Sequence, residues 1–234
     1  MNDRHSLAGM GRVTGPTERK QADLSILCDF DGTITLIDTA EYLLDKFADG
    51  DWRGVEHLLE EGKITIEESM NRQFEMIALS RESMLQKIDR VVKPRPGFQD
   101  LLELCRADGH RFRITSAGLD FYIRHFLAAN GWDREAEVVA PQTTDAGPGV
   151  RFVFPRMKNP RARNFKEDNV LEEQAAGRRV AYIGDGTSDH WAALAADLAF
   201  AVKGSKLDRS LERDGKGHHA FTDFHQVIAI LKGQ

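Results

Sequence analysis

Cysteine is scarce, with only Cys28 and Cys105 among 234 residues. Both fall in apolar stretches, so they read as buried free thiols of a reducing, cytoplasmic compartment, not as a disulfide framework. No apolar run approaches the roughly 18 residues of a membrane span, so no membrane partner is expected. The opening stretch MNDRHSLAGMGRVTGPTERKQAD has charges but none of the apolar core of a secretory signal. An excess of basic residues is missing too. Lys plus Arg number 32 against 37 Asp plus Glu, a formal charge of −5, which argues against a nucleic-acid partner. What is present is an ordinary globular composition, with 41% hydrophobic residues and 20 glycines. At roughly 150 residues per domain the length corresponds to about one and a half domains, as for one medium domain carrying an insertion. Such a chain buries a core without covalent staples.

Residues 1–22 are polar, Gly-containing and without period, and are expected to form a disordered tail. Leu24 to Cys28 is a short apolar run ending at an acidic turn, as for a buried parallel strand. Residues 38–49, 51–60 and 66–79 show helical spacing, with Asp38 or Thr39 as N-cap. The block 36–93 holds no convincing strand. Pro94, Pro96 and Gly97 then punctuate the chain, and strands and helices alternate. Strands are expected at 111–115, 137–140, 179–184 and 198–202. Helices are expected at 98–107, 119–130, 188–196 and 223–232. The alternation predicts an α/β fold: a Rossmann-like parallel sheet core with helices on both faces, built from 23–35 and 94–234, and an inserted α-helical cap domain at 36–93. No internal repeat is found.

Asp29 and Asp31 stand two apart where the first strand ends, in DFDGT. Period two puts both side chains on one side if strand geometry continues, and ligands of open α/β sheets sit beyond the carboxyl ends of strands. Asp185 and Asp189, in GDGTSD, follow the 179–184 strand, with Gly184 and Gly186 expected to allow a tight turn around Asp185. Ser116, in ITSAG, lies just past the 111–115 strand. Lys166, in NFKED, is expected before a helix, with Lys158 as its rival. Carboxylates gathered at adjacent strand ends repel one another unless a divalent cation sits among them, and oxygen ligands with room for phosphate and water suit Mg2+. The Ser116 hydroxyl, backbone N–H groups around Ala117, Gly118 and Gly32, and a lysine suit phosphoryl oxygens. One carboxylate can attack phosphorus, and a second can protonate the leaving oxygen and then deprotonate water.

DFDGT, the Ser of SAG, a Lys and GDGxxxD, in that order, resemble the four motifs of the haloacid dehalogenase superfamily over about residues 24–203. The helical block after the first motif resembles that superfamily's first type of cap. EGKITIEES followed by PGF resembles the phosphoserine phosphatase subgroup. SAGLDFYI resembles its methionine-salvage branch, which dephosphorylates 2-hydroxy-3-keto-5-methylthiopentenyl 1-phosphate. The resemblance implies a phosphatase of a small phosphorylated metabolite. It implies Asp29 as nucleophile, Asp31 as acid/base, and Ser116 and Lys166 as phosphate ligands. It also implies a Mg2+ site at Asp29, Asp31 and Asp185, with Asp189 supporting the metal or Lys166.

Phosphoserine phosphatases place a cap Glu nine residues after the nucleophile; here Asp38 stands there. Their cap Arg for the substrate carboxylate aligns with Gln73, and a register slip of one residue would restore Arg72. Phosphoserine and phosphocholine or phosphoethanolamine are therefore alternative substrates. A metal-independent dehalogenase and a receiver-like phospho-acceptor module are competing readings; the first fits Asp31 and the second acidic pair less well, and the second fits Asp31 and the helical cap less well. The cations Arg151, Arg156, Lys158, Arg161 and Arg163 of the long 141–165 segment are weighed as an anion-attracting rim over the active site against a solvated loop. RFVF within that segment could form a short hairpin strand. His190 reads as a surface or packing residue, and Trp52, Phe74 and Met76 as cap core. Monomer and homodimer both remain open.

Overall fold

The computed structural model describes residues 24–233, so the tail expected at 1–22 lies outside the described residues. The chain runs β1 (Leu24–Cys28), α1 (Thr39–Phe47), α2 (Trp52–Glu60), α3 (Ile66–Phe74), α4 (Arg81–Ile88), α5 (Phe98–Asp108) and β2 (Arg111–Thr115). It continues with α6 (Asp120–Ala129), β3 (Glu137–Val139), β4 (Gln142–Ala146), β5 (Gly149–Val153), α7 (Phe165–Ala175) and β6 (Arg179–Gly184). After a 3₁₀ turn at Thr187–Asp189 come α8 (His190–Ala195), β7 (Leu198–Val202), α9 (Lys206–Arg213), β8 (His219–Phe221) and α10 (Phe224–Lys232).

Six strands form a sheet in the order β3-β2-β1-β6-β7-β8, every neighbouring pair parallel. The continuous apolar runs are explained by helices on both faces. Ile26 and Cys28 of β1 join one apolar cluster and Leu27 the other; Ala181 and Ile183 of β6 oppose Val180 and Tyr182 in the same way. Each fully buried Leu, Ile or Phe contributes about 1.5–3 kcal/mol relative to exposure. Strand order reverses between β1 and β6, the switch point where α/β sheets bind ligands.

Helices α1–α4 form a block between β1 and α5, and its residues Trp52, Met70, Phe74, Met84 and Ile88 continue the first apolar cluster. The chain leaves and re-enters the sheet domain side by side, where Thr35 bridges Pro94. Side-chain caps start the helices: Asp38 on α1, Asp51 on α2, Thr65 on α3 and Ser80 on α4.

Several expectations are corrected. The helix expected over 66–79 stops at Phe74, because Ile77 turns back to bridge Ala48. The segments α4, α9 and β8 carry too few apolar residues or are too short for a periodic signal. The 141–165 segment is no bare loop: β4 and β5 form an antiparallel hairpin. RFVF supplies most of β5, while its partner QTTDA is polar and buries only Thr143. The hairpin clasps the helical block. Asn71 of α3 accepts from the Phe152 N–H at 2.9 Å and donates to the Phe152 carbonyl at 3.1 Å. The rings of Phe74 and Phe152 meet edge to face at 4.9 Å. Arg81 of α4 donates to the Thr143 carbonyl, and Thr143 in turn donates to Asp120 of α6.

Candidate active site

Asp29 follows β1, and its N–H extends the ladder onto the Ile183 carbonyl at 2.8 Å. The chain then coils tightly, the Phe30 carbonyl accepting from the N–H groups of Thr33, Ile34 and Thr35. Strand geometry thus ends at Cys28, yet Asp29 and Asp31 both line one cleft of about 570 Å3 between the sheet domain and the helical block. Gly32 permits the coil with φ +71°, and a Cβ there would stand 2.4 Å from Asp185 Oδ2. Its N–H is taken by the Ile37 carbonyl and Thr35 Oγ1, so the expectation that it cradles phosphate is corrected.

Asp31 accepts from both the N–H and the hydroxyl of Thr39, the first residue of α1. Gly118 packs against its other oxygen, where a Cβ would come within 2.1 Å of Oδ2. Ser116, just past β2, is buried and accepts from the Gly118 N–H at 3.0 Å, and Ala117 lines the cleft beside it. Asp185 accepts from the Thr33 hydroxyl at 2.8 Å.

Lys166 belongs to the first turn of α7, not to the segment before it. It is 1% exposed, and its Nζ donates to Asp29 at 2.8 Å and to Asp189 at 2.6 Å. Lys158 is exposed and pairs with Glu172, so geometry separates the two rivals. Asp189 is fully buried and accepts from Lys166, the Tyr182 hydroxyl, and the N–H groups of Asp185 and Gly186. Gly184 is a glycine for want of room, since its Cβ would lie 2.6 Å from the Asp189 carboxyl. Neither Gly184 nor Gly186 has positive φ, which corrects the tight-turn explanation. A missed residue, Arg95, is buried and donates to the carbonyls of Gly32, Thr33 and Thr222, pinning the coil that carries Asp31.

Oxygens of Asp29, Asp185 and Asp189 lie within 4.8 Å of one another, with Lys166 as the cation among them. Burial, then Asp189, push the Asp185 carboxyl up to about 7. Burial also raises Asp31, against the opposing Thr39 hydrogen bonds. For Lys166, burial opposes the charge, but Asp189 and Asp29 outweigh it and keep the amine protonated. Asp38 stands exposed in the cleft while capping α1. Enclosure by surrounding protein and the nearby Asp31 raise its pKa.

The opposite wall comes from the helical block. Gln73 is buried there, its amide donating to Glu56 at 3.0 Å. Lys206 of α9 reaches across to Glu60 at 2.8 Å. Arg72 does not line the cleft; it is exposed and paired with Glu68 one turn away, which corrects its candidacy. Trp52 is buried and also lines the cleft, so it is not core alone. The basic segment 151–163 contributes no residue to the cleft, so its cations form no rim there. Arg163 instead stacks on Trp191 at 3.8 Å.

The model of the haloacid dehalogenase-like hydrolase family matches residues 26–193. The chain belongs to the haloacid dehalogenase-like hydrolases. Its similar relatives include a 2-hydroxy-3-keto-5-methylthiopentenyl-1-phosphate phosphatase of Brevibacillus brevis, 28% identical over 214 residues, 89% of this chain and 95% of that one. Another is Pdp3-interacting factor 1 of Schizosaccharomyces pombe, 26% identical over 92% of this chain and 96% of that one. Among solved structures, a phospho-aspartyl intermediate analogue of phosphoserine phosphatase superposes with TM-score 0.65 at 17% identity, covering 89% and 98% of the two chains. A HAD family hydrolase of Salmonella enterica superposes at 0.68 and 18%, covering 88% and 70%. These structures share the fold of this haloacid dehalogenase-like hydrolase.

Proposed function

We propose that the protein is a Mg2+-dependent phosphomonoesterase that acts on a small phosphorylated metabolite through an aspartyl-phosphate on Asp29. One observation carries the reading: Lys166 is locked between Asp29 and Asp189 beside Asp185, while Asp31 stands apart, held by Thr39. The donor set fits a hard divalent cation, because buried carboxylates outnumber the single ammonium among them and all donors are oxygens. Asp29, Asp185 and the Asp31 carbonyl would hold it. Asp189 is a poor ligand because its oxygens already accept four protein donors; it supports Lys166 instead. When bound, the cation neutralises charge on the phosphoryl group and favours ionised Asp29.

Asp29 attacks phosphorus, the bond from phosphorus to the leaving oxygen breaks, and Asp31 gives its proton to that oxygen. Asp31 then takes a proton from water as the water attacks phosphorus, and Asp29 departs with inorganic phosphate formed. The raised Asp31 pKa suits a group that must start protonated. Lys166 and Ser116 bind phosphoryl oxygens in both steps. The helical block acts as the cap, closing the site around the leaving group.

The relatives' names point to a substrate such as 2-hydroxy-3-keto-5-methylthiopentenyl 1-phosphate. Phosphoserine fits less well, since Gln73 stands where a carboxylate-binding Arg is expected and Arg72 points elsewhere. Asp38, exposed in the cleft, favours phosphocholine or phosphoethanolamine as a second reading. A screen of phosphate release across phosphorylated metabolites, with Mg2+ or EDTA, tests the proposal. Metal-dependent turnover concentrated on one ester class is expected, and turnover undiminished by EDTA would count against it.

A further inference from the structure

Among the buried side-chain polar atoms without a hydrogen-bond partner in the described residues, Ser69 Oγ alone belongs to a residue that lines the cleft. Ser69 is 1% exposed. It sits on α3 one turn before Gln73, so the two share a helix face with Ile66 and Met70, and all four line the cleft. The Gln73 amide is already engaged by Glu56 and the Trp52 carbonyl; the Ser69 hydroxyl is not engaged. Native folds rarely leave a buried hydroxyl without a partner, and one on a residue at the cleft wall is placed to be completed by a bound molecule.

The surroundings define that ligand. Glu41, Glu56 and Glu60 contribute negative charge to this part of the cleft. The two cations nearby are held by carboxylates, Lys206 by Glu60 at 2.8 Å and Glu56 at 3.6 Å, and Arg53 by Asp45 at 2.7 Å. A carboxylate on the leaving group therefore meets repulsion, not a clamp. Leu44, Trp52 and Met70 supply apolar contact area. We infer that Ser69 is a specificity-determining residue whose hydroxyl hydrogen-bonds a hydroxyl or carbonyl oxygen of a partly apolar leaving group that carries no carboxylate. The inference rests on the phosphomonoesterase reading and concerns only which ester is chosen.

Steady-state kinetics on matched esters test it: an alkyl phosphate, the same ester with a hydroxyl or keto group on the second carbon, and phenyl phosphate to report basal turnover. The wild type is expected to prefer the oxygenated ester by about tenfold or more in kcat/KM. Ser69→Ala should erase that preference through KM, with kcat on phenyl phosphate within about twofold of wild type. Ser69→Cys, which keeps the shape but donates weakly, should follow Ser69→Ala. Ser69→Thr should restore part of the preference. Because Ser69→Ala removes an unpartnered hydroxyl, its Tm should not fall. An oxygenated-to-alkyl ratio unchanged in both Ser69→Ala and Ser69→Cys would overturn the assignment, as would a wild type without preference. No turnover of any ester by the wild type would overturn the phosphatase reading, and the assignment with it.

Discussion

The two walls of the cleft are built on opposite terms. On the sheet side, the central polar groups are held by several partners. Asp189 accepts from four donors, Lys166 bridges two carboxylates, and Gly32, Gly118 and Gly184 leave room where a Cβ would collide with Asp185, Asp31 and Asp189. On the helical side, a serine hydroxyl is left open, an arginine points away, and polar groups alternate with apolar ones. The first wall tolerates almost no displacement, as preorganised electrostatics requires. The second meets the first through Thr39 of α1, which holds Asp31, and through Lys206, which reaches Glu60. On the proposed function, chemistry and selectivity fall on two pieces of chain.

The contrast is open to attack, beginning where the largest effect is expected. Asp29→Asn should reduce phosphate release by about four orders of magnitude or more while leaving the circular dichroism spectrum unchanged; substantial residual turnover would remove Asp29 from the centre of the rigid wall. Lys166→Met strands two buried carboxylates without their ammonium, which costs about 3–5 kcal/mol. Its thermal unfolding midpoint should fall by about 10 °C, far more than for a change on the helical wall such as Ser69→Ala. Gly118→Ala places a methyl 2.1 Å from Asp31 Oδ2, and kcat should drop about 100-fold with the fold intact. A variant of wild-type speed would show that this wall has slack.

The smallest effect concerns pH. Without a metal, burial and then Asp189 push the Asp185 carboxyl from its ordinary value of 3.8 up to about 7. Between those values the folded state holds a proton that the unfolded chain has released, so stability falls as pH rises from about 4 to 7. A cation at this site competes with that proton. Saturating Mg2+ should therefore raise Tm by about 5 °C at pH 8 and by clearly less at pH 5.5. An equal gain at both pH values would move the metal away from Asp185.

The sheet side was readable because its residues stand at strand ends marked by apolar runs, and their chemistry follows from that placement. Spacing could not choose between Lys166 and Lys158, since only packing shows which lysine is buried against Asp29. Gly184 is legible as a special position but not its reason, because a need for close approach looks the same in sequence as a need for a turn. The helical wall was read less well. Its helices show in outline, but α4 has too little apolar periodicity to mark it, and spacing does not reveal that α3 ends where Ile77 bridges Ala48. Arg72 and Gln73 are neighbours in sequence on different faces, and a shift of one residue exchanges them. Ser69 does carry a signal: with Gln73 it is a polar residue on the stripe that Ile66, Met70 and Phe74 otherwise make apolar. The polar strand QTTDA and the short β8 gave none, because their pairing partners supply most of their stability.

The hairpin β4–β5 bears on how such a protein could be rebuilt. Asn71 and Phe152 exchange two hydrogen bonds across 81 positions of chain, so the helix presenting Ser69 and Gln73 is registered by a segment outside the insertion that contains it. Anyone wishing to transplant this selectivity onto another scaffold, or to recombine it with a different set of helices, would have to move residues 142–153 together with 36–93. Cut at the obvious boundaries, the helical block would arrive without its brace.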